Sequence, residues 1–169
     1  GVEIRHPEDA VTDGNTIQLE IQLSTPLQSD SEAAFYLEDA SEPVATCAIA
    51  AGKDACASAA FPATGWYWDS SGTARPERRI QARVVGQAAG ELTVNIHPRP
   101  VVMVHGFISN WETWKPYLGA DGFLAPLNIP GFAVGDGQVE GSLNTGDMLE
   151  PTGRTNTIVQ NAEVLGQYI

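Results

Sequence analysis

Pro100-Val101-Val102-Met103-Val104-His105-Gly106-Phe107 opens on a proline, runs through four consecutive apolar residues and stops at a His-Gly-aromatic step. Strict alternation would mark a strand with one face in water. An unbroken apolar run instead suits a strand covered on both faces, as in a parallel sheet.

Downstream of that run, Trp111, Trp114, Tyr117 and Leu118 are spaced as on an amphipathic helical turn or two. A Gly, Pro and Asn-rich stretch from Gly119 to Gly137 carries a second predicted strand near 132–134, and Asp136 to Arg154 reads as loop. From Thr157 to Ile169, the apolar residues Ile158, Ala162, Leu165 and Ile169 recur at helical spacing, with Asn156 as the expected N-cap. The order strand, helix, strand, helix is that of a doubly wound sheet.

Upstream, His97-Pro98-Arg99-Pro100 sets a boundary, because proline cannot donate to a ladder and restricts the residue before it. We therefore expect one domain over residues 1–98 and a second over residues 99–169. The first part alternates. After the turn signal Asp13-Gly14-Asn15, the apolar Ile17, Leu19, Ile21 and Leu23 are separated by Gln18, Glu20 and Gln22, which predicts a half-buried strand over residues 16–23. Shorter strands are expected at 33–37, 44–47 and 56–61, then at 79–85 and, after a turn at Gly90, 92–96. Six short strands with turn residues between them predict an antiparallel β-sandwich.

The stretch from Gly65 to Val84, GWYWDSSGTARPERRIQARV, resembles the late strands of bacterial immunoglobulin-like modules. Trp66 and Trp68 could stack on a sugar there, or one could pack in the core while the other covers an edge. The segment from Pro100 to Ile169 resembles the start of α/β-hydrolases of the lipase and esterase kind, in which a strand ending in His-Gly-hydrophobe leads to an aromatic loop, a strand, and a helix like TIVQNAEVLGQYI before the nucleophile strand. The whole is thus expected to be multidomain, an all-β immunoglobulin-like sandwich followed by the first β/α units of an α/β-hydrolase fold.

That resemblance implies a carboxylic-ester hydrolase with a serine nucleophile. Ester cleavage passes through a tetrahedral oxyanion, and a fixed N–H that meets the developing charge contributes roughly 2.7–4 kcal/mol. The resemblance makes the backbone N–H of Phe107 one such donor, with Gly106 allowing a tight turn and His105 holding the loop. The catalytic base of this fold follows the nucleophile in chain order, so His105 is not expected to be the base. Trp111 is a candidate for the substrate pocket and Trp114 for the core. No G-x-S-x-G elbow occurs, and Ser142, between Gly141 and Leu143, lacks that pattern. The sequence therefore reads as the front part of a hydrolase, inactive alone. Its expected partners are the C-terminal remainder of the same enzyme, in one chain or as a second, and an ester or lipid substrate; no cofactor is implied. Acyltransferases, polyester depolymerases, dehalogenases and epoxide hydrolases share the fold. A non-enzymatic adhesive or carbohydrate-binding module is the alternative from another class.

Charge and cysteine usage bound these readings. Nine basic residues face 21 acidic ones, for a net charge of -12, and the excess is acidic on both sides of Pro98. Such a chain repels a phosphate backbone, which argues against nucleic-acid binding. No apolar run approaches the length of a membrane span. Cys47 and Cys56, the only cysteines, flank a short loop of small residues. An even pair in a chain with this composition points to a disulfide and to a secreted, extracellular protein. Asp136, Glu140, Asp147 and Glu150 form a loose acidic series that matches no calcium loop, so no metal is expected.

Overall fold

The computed structural model describes residues 1–8, 10–38, 40–150 and 152–169. The chain divides into two compact units, Gly1–Pro98 and Arg99–Ile169, and each is described by itself. The strands, in chain order, are β1 (Val2–Arg5), β2 (Ala10–Thr12), β3 (Thr16–Ile17), β4 (Glu20–Leu23), β5 (Ser31–Leu37), β6 (Ala45–Ile49), β7 (Ala55–Ala57), β8 (Phe61–Pro62), β9 (Glu77–Val84), β10 (Gly90–His97), β11 (Val101–Met103) and β12 (Gly131–Ala133).

The first unit is all-β. One sheet has the order β1-β4-β7, a second has the order β2-β10-β9-β5-β6, and β3 pairs with β8. Every pairing is antiparallel except β2 with β10. One apolar cluster joins the sheets, with Ile4, Ile21 and Leu23 from the first and Phe35, Ile80, Ala82, Val94 and Ile96 from the second. Burial of that surface is the main stabilising term for the unit.

The disulfide expected from the sequence is present. Cys47 on β6 is bonded to Cys56 on β7, with Cα atoms 5.9 Å apart, so the bond ties the five-stranded sheet to the three-stranded one. Closing a loop of this length removes unfolded-state entropy worth roughly 2–3 kcal/mol.

The alternation over 16–23 buries Ile17, Leu19, Ile21 and Leu23, but the segment is two strands and not one. Thr16 and Ile17 face Pro62 and Phe61, whereas Glu20, Ile21 and Gln22 face Ala57, Cys56 and Ala55. The register slips by one residue between the two pairs because the opposite strand carries an extra residue, which makes a β-bulge. Ser58 closes it: its N–H donates to the Leu19 carbonyl and its hydroxyl accepts the Leu19 N–H at 3.1 Å.

Two further expectations are corrected in this unit. The turn between β9 and β10 lies at Val85-Gly86, and Gly90 is instead the first residue of β10. Trp66 and Trp68 do not lie on a regular strand. Trp66 and Tyr67 are both buried and Trp68 is half-buried against Tyr67, edge to face at 4.8 Å, so no flat aromatic platform faces solvent there. Asp13, itself buried, fixes this turn by accepting the N–H groups of Gly65 and Tyr67.

In the second unit, β11 and β12 are parallel, with Val102 opposite Phe132. The connection between them contains two 3-10 helices, Trp111–Tyr117 and Ala125–Leu127, where an amphipathic α-helical turn was expected. Pro116 inside the first of these removes a helical donor. Leu118 and Leu124 close over Gly131, where an added Cβ would lie 3.0 and 2.6 Å from their methyl carbons. The run Val101–Val104 is not covered on both faces: Met103 is buried, while Val101 and Val104 are 37% and 43% exposed.

The unit ends in one α-helix, α1 (Ile158–Gly166). Its N-cap is Thr157 and not Asn156, through a capping box in which Thr157 and Gln160 satisfy each other's backbone N–H groups. The face that docks is also different from the one expected. Val164 is buried and Asn161, Leu165 and Tyr168 are half-buried, whereas Ile158 and Ile169 are 89% and 91% exposed. Among the described residues no helix is long and apolar enough to cross a membrane.

Candidate functional site

The His-Gly-Phe step begins where β11 ends. The ladder extends one bond past the strands, with the Val134 N–H donating to the Met103 carbonyl, and the chain then leaves the sheet. His105 continues the inward face of Met103 and is buried at 6% exposure. Its Nε2 lies 3.1 Å from the Leu143 carbonyl and its Nδ1 3.1 Å from the Gly106 carbonyl. A neutral imidazole carries a single N–H, so it donates to one of these two acceptors at a time. In this arrangement His105 reaches a backbone carbonyl 38 residues further along the chain.

Gly106 was expected to supply the tight turn. The left-handed residue is instead Ile108, at φ 54°, while Gly106 lies outside that region and an added Cβ on it would meet nothing within 4 Å. Phe107 is 80% exposed, and its N–H has no hydrogen-bond partner among the described residues.

A segment from Ser142 to Gly146 straps the loop from the other side. Leu143 presents its carbonyl to His105, and the Thr145 hydroxyl donates to the Gly106 carbonyl at 2.8 Å. Three asparagines hold the strap in turn. Asn144 donates its side-chain amide to the Arg154 carbonyl and accepts the Gly146 N–H. Asn156 donates to the Ser142 carbonyl at 2.7 Å and to the Asn161 amide oxygen at 2.9 Å. Asn161 accepts the Asn144 N–H, which connects the strap to α1. A second anchor lies at the other end of α1, where the Tyr168 hydroxyl donates to Asp136 at 2.8 Å and accepts the Gly135 N–H.

That second anchor perturbs both groups. Burial pushes the Asp136 carboxyl up, but the donors from Gln138 and Tyr168 outweigh it and hold the carboxyl below the usual carboxylate range. Burial first, and then donation to Asp136, raises the Tyr168 hydroxyl above its ordinary value.

A cleft of about 480 Å³ opens beside the loop, lined among others by Ile108, Asn110, Leu143, Asp147, Met148 and Arg154. Trp111 does not line it. Its ring carries the Lys115 ammonium at 5.1 Å. Trp114, expected in the core, is half-buried, with its indole N–H shielded and unpaired among the described residues. Asn110 both lines the cleft and caps the first 3-10 helix through the Glu112 N–H.

The acidic residues do not converge. Asp136 is engaged by Gln138 and Tyr168, and Asp147 by the Leu149 N–H. No group of three or more His, Cys, Asp or Glu among the described residues is placed to hold a metal ion.

Comparison with known proteins adds little. No family model matches the chain, and no curated protein matches it. Among solved structures it is similar to the sulfur carrier protein SoxY from Chlorobium limicola f thiosulfatophilum, at 9% identity and a TM-score of 0.33, over 57% of this chain and 77% of that one. A likeness at that score carries no argument about this chain.

The strap and its asparagines are the site residues that sequence reasoning missed. Leu143 contributes a carbonyl, a group every residue has, so no side-chain signal could have found it. Of the asparagines at 144, 156 and 161, only Asn156 carries a local sequence signal, as a candidate helix cap.

Proposed function

We propose that this chain supplies the oxyanion-hole side of a secreted carboxylic-ester hydrolase of the lipase or esterase kind, behind an immunoglobulin-like domain. The single observation that carries the reading is the Phe107 N–H, a free donor on a braced loop at the C-terminal end of a parallel strand, beside a cleft. Active sites of open parallel sheets form at that end. A disulfide between the two sheets of the first unit fits export to an oxidising compartment.

In this reading a serine outside these residues attacks the ester carbonyl, a histidine carries its proton to the leaving alcohol, and an acid orients that histidine. The Phe107 N–H stabilises the oxyanion together with a second donor that follows the serine. Two surfaces await the completing part. β11 pairs only with β12 among the described residues, and the Ile158, Val159 and Ile169 side chains of the last segment stand in solvent. An unpaired strand edge and exposed apolar side chains at both ends of the last segment are what a further parallel strand and its packing layer would cover.

The test is to purify Gly1–Ile169 alone and together with a polypeptide that carries the nucleophile, acid and base of such a hydrolase, and to follow hydrolysis of a short-chain ester. Turnover only in the mixture supports the reading. A complex without turnover overturns it, and turnover by Gly1–Ile169 alone would locate a complete centre within these residues.

A further inference from the structure

We infer that Thr145 is a positioning residue for the Phe107 N–H, an inference that rests on the oxyanion reading above. The proposed donor belongs to the peptide unit that joins Gly106 to Phe107. The other end of that same unit is the Gly106 carbonyl, which receives the Thr145 hydroxyl at 2.8 Å and faces His105 Nδ1 at 3.1 Å. No peptide bond in the described chain is cis, so the carbonyl and the N–H of this unit point in opposite directions across a rigid plane. Fixing the oxygen therefore aims the hydrogen.

The aim needs fixing. Phe107 is 80% exposed and its ring does not anchor the loop in the core, while Gly106 has no side chain with which to hold the plane. Without the Thr145 bond, the unit would be held at its carbonyl only while His105 carries its proton on Nδ1, and would otherwise be free to rotate about the flanking Gly106 and Phe107 dihedrals. Thr145 is itself held, since it follows Asn144, whose amide is bonded to the backbone of Arg154 and whose N–H is bonded to Asn161. A hydroxyl donating to the carbonyl also polarises the amide and strengthens its N–H as a donor, because linked hydrogen bonds reinforce one another. Thr145 thus acts through the Phe107 amide and does not touch the substrate.

The experiment uses 15N-labelled Gly1–Ile169 as it stands, in the native form and as Thr145→Val and Thr145→Ser. Valine keeps the shape and removes the donor; serine keeps the donor. The Phe107 amide order parameter should fall from the rigid range near 0.85 to below about 0.6 in Thr145→Val and return in Thr145→Ser. The amides of β12 and α1, in the same unit as Thr145, should stay unshifted in both variants, which reports that the fold of that unit survives. An unchanged Phe107 amide in Thr145→Val overturns the inference.

In the completed enzyme, Thr145→Val should lower kcat about tenfold with little change in KM, because a donor worth 10²–10³ in rate is loosened and not removed. Thr145→Ser should recover most of that loss. A Phe107 amide that loosens on Thr145→Val, in a chain whose mixture never turns over ester, would leave the positioning intact and sink the oxyanion reading alone. An equal kcat in Thr145→Val and the native enzyme would do the reverse.

Discussion

A Cβ built on Gly90 would sit 2.4 Å from the carbonyl oxygen of Val2, and the neighbouring atom is backbone that cannot swing aside. The absence of a side chain at Gly90 lets β10 come this close to β1. Gly90→Ala should therefore destabilise the first unit by about 1–3 kcal/mol, as overpacking in a filled core does. Gly106→Ala offers the contrast, since its added Cβ meets nothing within 4 Å, and it should leave stability near the native value. Urea midpoints of the two variants check both halves of this statement; equal midpoints would show that β1 yields at no cost. The same residue-level view explains what was legible in the candidate site. The His-Gly-aromatic step is local and readable, because a buried His and an exposed Phe follow directly from one strand end. The partners of that step are 38 and 39 residues away, at Leu143 and Thr145, and one of them is a backbone carbonyl without any residue signature.

At the scale of elements, side-chain period proved readable and pairing did not. The alternation over 16–23 gives the right buried residues because a strand's two faces are set by its own sequence. The bulge at Ser58 is invisible there, since the extra residue lies on the opposite strand. In α1 the helical period was correct and its phase was not. The apolar residues Ile158 and Ile169 advertise one face, yet the helix docks through Asn161, Val164 and Tyr168, where polar side chains find specific partners and Val164 closes on Gly141 at a spacing only glycine admits.

This docking should depend on pH. Asp136 is held below the usual carboxylate range in the folded state, so its contribution is fully present above the unfolded value near 3.8 and is lost as pH falls through the folded value. Tyr168 is raised above 10.0, so its neutral, donating form stabilises the docked helix at lower pH, and that contribution is lost as pH rises beyond 10 and through the folded value. Amide-exchange protection of α1 measured across the range should show both limbs. Tyr168→Phe should abolish the alkaline limb and weaken the acid one, since Gln138 still donates to Asp136. An alkaline limb that persists in Tyr168→Phe would place the titrating group elsewhere.

Over the whole molecule, the two units differ in how much core each has. The apolar cluster of the first is large, spans two sheets and is locked by the Cys47–Cys56 bond. Among the described residues of the second unit, the buried apolar side chains are Met103, Ala133, Val134 and Val164 alone. Ordering a residue costs about 1–2 kcal/mol in backbone entropy, and so few buried side chains offset little of that cost. Hydrogen exchange on intact Gly1–Ile169 should accordingly show slow, cooperative exchange through β5, β9 and β10, and much faster exchange through β11, β12 and α1. Reduction, or replacement of both cysteines by alanine, should lower the first unit's stability by roughly 2–3 kcal/mol. It should leave the faster-exchanging amides of the second unit where they were. If the proposed completing polypeptide covers the free edge of β11 and the exposed side of α1, its addition should slow exchange in β11 and α1 selectively. Uniform protection of both units before any addition would mean that the second unit stands on its own core, and would remove the physical need for a completing part.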